Sequence, residues 1–114
     1  GQVVAIVHDR QEPATTEILF GRGVRAVVYA DGLNIGIVRA KTEMLRMDHP
    51  DIRAVIEEAG EKIGDGEDKW FAHPAGFLFC RGSSKAPAKT PSKVNPRVLA
   101  EKVAQMLWRG RKAR

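Results

Sequence analysis

At 114 residues, of which 43% are hydrophobic, the chain has the length for one compact core and too little for two. The single Cys80 excludes an internal disulfide, and no apolar run approaches the roughly 18 residues of a membrane span, so the composition predicts a soluble cytoplasmic protein with no membrane partner. The formal charge of +5 is unevenly spread: residues 81–114 carry ten Lys and Arg against Glu101 alone, whereas residues 1–80 carry nine against thirteen acids. A mildly acidic body with a strongly basic tail is the pattern of a chain whose tail meets a polyanion, an acidic protein surface or an anionic membrane.

In chain order, "VVAIVHD" (3–9) is a β-branched run of strand type, and "TTEILF" (15–20), after the breaker-rich "RQEPA", is a second strand candidate. Gly21 and Gly23 mark a turn. "VRAVVYADGLNIGIVRA" (24–40) then predicts a hairpin with Asp31-Gly32 as its two-residue loop. That register sets Ala30 opposite Leu33, Val28 opposite Ile35 and Ala26 opposite Ile37 on an apolar face. Tyr29, Asn34, Val27, Gly36, Arg25 and Val38 fall on a mixed face, open to water or to a partner. A helix through Leu33, Ile37, Ala40, Met44 and Met47 competes on spacing alone, but Ile35, Ile37, Val38 and Gly36 are poor helix residues.

"TEMLRM" predicts a short helical turn. The helix proper is expected over 50–63, with Pro50 at its first position, Asp51 near the positive end and Ile52, Val55, Ile56, Ala59 and Ile63 as one apolar stripe. "KWFAHPAGFLFC" (69–80) reads as a second, aromatic-rich hairpin around His73-Pro74-Ala75-Gly76. From Arg81 the composition shifts to "RGSSKAPAKTPSKVNP", which predicts a flexible basic linker over 81–96. Residues 97–114 form an amphipathic helix with a basic end, its stripe being Val98, Leu99, Val103, Met106 and Leu107. The expected architecture is α+β: a globular domain over 1–80, built as an antiparallel meander against one central helix, followed by linker and helix.

Catalytic signatures are sparse. His8, His49 and His73 are scattered, Cys80 stands apart from any second thiol, and no phosphate-cradling glycine loop or nucleophile elbow occurs, so no metal, no cofactor and no enzymatic role is favoured. Asp51, Glu57, Glu58 and Glu61 read as a solvated helix face. "AVVYADGLNI" (26–35) resembles the first strand and Asp-Gly-x-Asn string of NYN-type metal-dependent nucleases. The resemblance covers about ten residues and implies a metal-binding role for Asp31; the hairpin reading gives that residue a turn position instead.

The basic tail carries the functional expectation. Arg81, Lys85, Lys89, Lys93 and Arg97 recur every fourth residue, which in extended chain at about 3.1 Å per residue spaces them roughly 12 Å apart along a phosphate backbone. Lys102, Arg109, Arg111, Lys112 and Arg114 extend the charge, Trp108 offers a ring for stacking, and Arg25 and Tyr29 add to the mixed sheet face. These residues predict a small non-enzymatic nucleic-acid-binding accessory or regulatory protein, with DNA or RNA as partner. The alternative is a protein-interaction or self-association module, in which Val98, Leu99, Val103, Met106 and Leu107 meet a partner or a second copy.

Overall fold

The structure, a computed structural model, describes residues 3–8, 13–64, 66–83 and 85–112, with 13, 14 and 109–112 described by backbone alone. Its elements are β1 (Val4–Val7), α1 (Pro13–Gly21), β2 (Ala26–Asp31), β3 (Asn34–Arg39), α2 (Pro50–Glu58), β4 (Phe71–Ala72), β5 (Leu78–Arg81) and α3 (Pro96–Lys112). They belong to the α+β class. The five strands form one sheet in the order β1-β2-β3-β5-β4, and β1 runs parallel to β2 while the other pairs are antiparallel.

The parallel pair corrects the expected meander. Parallel neighbours need a crossover connection, most often a helix, and "TTEILF" supplies it as part of α1 rather than as a strand. Its β-branched residues favour a strand locally, but Pro13 is at home in the first helical position, and the helix ends in a Schellman motif. There the Val24 amide donates to the Leu19 carbonyl and Gly23 donates to Phe20, with Gly23 at φ +96. The same motif stops α2 five residues before the predicted end: Glu61 donates to Ile56, Gly60 donates to Glu57, and Gly60 takes φ +88. At the other end of α2, Pro50 opens the helix as expected, and His49 caps it by accepting the Asp51 amide on Nδ1. The helical turn expected at 42–47 is absent; 43–46 are irregular.

The β2–β3 hairpin forms, with its turn one residue later than predicted. Asp31 pairs with Asn34, Ala30 with Ile35 and Val28 with Ile37, so the loop is Gly32-Leu33. Gly32 at φ +59 occupies the first loop position, where a hairpin turn of the II′ pattern requires glycine. The partners therefore move by two residues, which preserves the face of every side chain. The second hairpin holds as predicted, with Phe71 opposite Cys80 and Ala72 opposite Phe79. His73 Nδ1 accepts the Ala75 amide in its turn.

Both faces of the sheet are covered, to different extents. On the first, Val4, Ala26, Val28, Ile35, Ile37 and Phe79 pack with Met47, Ile52, Ile56 and Trp70 and with Leu99, Val103, Met106 and Leu107 of α3. Trp70 and Phe79 lie 4.9 Å apart between ring centroids. Two helices thus cover this face, not one, because α3 lies against β1, β2 and α2. On the second face Leu19 and Phe20 of α1 pack against Ala5, Val27 and Val38. That face is not open to water as its composition suggests: Val27 is 0% and Tyr29 7% exposed.

Candidate nucleic-acid interface

The segment between β5 and α3 (82–95), here the strap, has no helix or strand among its described residues, yet it is fastened to the body. Its first fastening is Arg81, which the sequence presents as one more tail cation and the structure buries to 4% exposure. Arg81 donates from Nη1 to the Thr90 carbonyl at 2.6 Å, from Nη2 to Thr90 Oγ1 at 2.8 Å and from Nε to the Asp68 carbonyl at 3.1 Å. Its charge faces Glu61 at 3.5 Å and Asp68 at 4.0 Å. A buried guanidinium is tolerated only when its charge and N–H groups are matched in this way.

Two carboxylates of the body then hold the strap. Asp68 accepts the Lys89 amide and the Thr90 hydroxyl, both at 2.7 Å, and Glu61 accepts the Trp70 indole N–H, the Ser92 hydroxyl and the Lys93 amide at 2.7–2.9 Å. Asn34 Oδ1 accepts the Ala88 amide at 2.9 Å, and Ala88 and Val94 are buried. The expectation of a loose, extended linker is corrected accordingly: Ser83 and Ala86 close a turn, and the strap follows the body instead of running straight. Burial pushes the Glu61 carboxyl up, but the three hydrogen bonds and the Arg81 charge outweigh it and hold the group below its ordinary value. Asp68 is held low by the Thr90 hydroxyl and Lys89 amide, with Arg81 adding to the effect.

The remaining cations divide clearly. Lys89 pairs with Glu67, and Arg25 pairs with Glu43 through two nitrogens while its Nη1 reaches the Leu107 carbonyl at 3.5 Å. Lys85, Lys93 and Arg97 are exposed and Lys102 half-buried, and among the described residues none of these four enters an ion pair. Trp108 is 52% exposed. Arg109, Arg111 and Lys112 lie on α3 with their side chains undescribed, and Arg114 is outside the described residues. Of the apolar stripe, Leu99, Val103, Met106 and Leu107 sit in the chain's own core and only Val98 is exposed.

Sequence reasoning missed a cleft of about 550 Å³ on the second face of the sheet. The strand register sets Tyr29, Gly36, Cys80 and Phe71 in one row across the sheet. Tyr29 lies over Gly36, where a Cβ would stand 2.5 Å from its hydroxyl and 2.6 Å from Cys80 Cβ. Burial pushes both the phenol and the thiol up, so both stay protonated at neutral pH. The row ends at Phe71, 45% exposed, on the floor of the cleft; Gly64 and Gly66 to Lys69 form one wall, and Gly82, Ser83 and Ala86 to Lys89 the other. The signal was present as alternation in "KWF", which sends Trp70 inward and Lys69 and Phe71 to the opposite side.

Among the described residues no three His, Cys, Asp or Glu side chains are grouped as metal ligands, and Asp31 sits at the end of the β2–β3 hairpin paired with Asn34. No described helix is long and apolar enough to cross a membrane. No protein-family model matches the chain, and neither a curated protein nor a solved structure does.

Proposed function

We propose that this protein is a non-enzymatic nucleic-acid-binding accessory or regulatory protein whose basic C-terminal segment meets phosphates. The observation that supports this reading most directly is how the carboxylates beside the strap are used. Glu61 and Asp68 are engaged by backbone amides, hydroxyls, the Trp70 indole and Arg81, and among the described residues Lys85, Lys93, Arg97 and Lys102 form no ion pair with any carboxylate. Cations fixed on a folded surface and not internally neutralised attract a polyanion at little ordering cost.

Deleting everything after Cys80 is an unsuitable test, since it removes Arg81 and the α3 side chains of the core. Charge substitution in the full chain is the appropriate one. If Lys85, Lys93, Arg97 and Lys102 each neutralise one phosphate, the slope of log K against log salt on duplex DNA is about −3.6, and Lys85→Ala with Lys93→Ala flattens it by about 2. Anisotropy titrations of labelled DNA and RNA at several salt concentrations measure this. Absence of binding at low salt, or binding indifferent to salt, overturns the proposal.

A further inference from the structure

We propose that the cleft between the turn at 66–69 and the strap receives a nucleobase of a single strand, stacked on Phe71, with the flanking phosphates at Lys69 and Lys85. This rests on the nucleic-acid reading above and adds to it a preference for strand form. α1 shields the β1–β2 half of the second face, through Leu19 and Phe20, and stops short of the Cys80–Phe71 end, where the cleft opens. A phenyl ring on the floor of an open concavity offers a base one flat apolar face, and base–aromatic stacking is indifferent to sequence.

The walls keep the mouth open because Gly64, Gly66 and Gly82 contribute no side chains. Gly82 has no substitute: it holds φ +84, and a Cβ there would run into Asn34 Oδ1 and Ala88. The volume falls within the roughly 300–1,000 Å³ of small-ligand sites. Charge selects an anionic partner. On the rim, Glu67 pairs with Lys89 and the Asp68 carboxylate faces the Arg81 charge at 4.0 Å, while Lys69 is exposed and, among the described residues, has no ion pair. Lys85 is exposed in the strap between the lining residues Ser83 and Ala86. Cys80 lines the cleft as a buried thiol that burial pushes up.

The test compares a fluorescein-labelled oligo(dT) and oligo(dA) with a duplex of the same length, at low salt, on the full chain. Phe71→Ala is expected to lower single-strand affinity about 5- to 150-fold and duplex affinity less than twofold. Phe71→Tyr restores it. Titration of oligo(dT) into isotopically labelled protein should shift the amides of Gly66, Phe71, Cys80 and Gly82. Equal affinities for Phe71→Ala and wild type, with those amides unmoved, overturn the cleft assignment while leaving phosphate binding by the strap in place. Wild-type protein that binds neither form at low salt overturns both. If the same amides move with an aromatic peptide and not with oligonucleotide, the cleft belongs to a protein partner and the assignment falls.

Discussion

The two faces of the sheet show how one small chain divides its apolar side chains between closure and exposure. The first face is sealed: α2 and α3 cover it, Trp70, Phe79, Ile52, Ile56 and Leu99 are wholly buried, and the polar cluster of Arg81, Glu61 and Asp68 binds the strap at its margin. The second is sealed only at its β1–β2 end, by α1, and at the other end leaves Phe71 in solvent. Stability resides mainly on the first face, and the second has room for a ligand.

Unpairing the margin of the sealed face should have the largest effect. Arg81→Ala strands two carboxylates and should cost about 3–5 kcal/mol in denaturant unfolding. Arg81→Lys should recover little of this, since an ammonium cannot reproduce three directed N–H bonds. A cost below about 1 kcal/mol would mean that the strap does not depend on Arg81.

Next in size is a matched pair of truncations. Leu99→Ala empties a wholly buried site on the first face and should cost about 2–5 kcal/mol. Leu19→Ala, half-buried against the second, should cost about 1 kcal/mol. Equal costs would erase the distinction between the faces.

Acid should have the mildest effect. Glu61 and Asp68 are both held below their ordinary values, so the stability that they confer is complete above the unfolded carboxyl range. It is lost as pH falls through the lower folded values, below about pH 4. Denaturant midpoints should therefore drop between pH 5 and pH 3, and Glu61→Gln should flatten that drop. An unchanged profile in Glu61→Gln would assign the acid sensitivity to other groups.

Where residue pattern and local chemistry agree, the fold was legible. The β2–β3 hairpin, the faces of its side chains, the start of α2 and the His73-Pro74 turn all follow from alternation, Asp-Gly and Pro placement. α1 was not, because Thr15, Thr16 and Ile18 favour a strand, and only the parallel pairing of β1 with β2, a contact across some twenty residues, demands a helix between them. The role of Arg81 was hidden for a similar reason. In the sequence it is one member of a four-residue series, and its partners Glu61, Asp68 and Thr90 lie 9–20 residues away. The cleft depends on Gly82, Asn34 and Phe71, brought together by sheet order, which composition does not encode.

The packing of α3 on β1 and β2 also sets a time order for folding. The first strand and the last helix are neighbours in space, so closing the first face joins segments roughly ninety residues apart, a large loop-closure entropy that enters before the contacts repay it. The two hairpins and α2 need only local partners and can form in microseconds. Until α3 arrives, Ile37, Phe79 and their neighbours face water. Docking of that helix is therefore the expected slow step of refolding, and a chain with α3 undocked would present an apolar sheet face that favours association at high protein concentration.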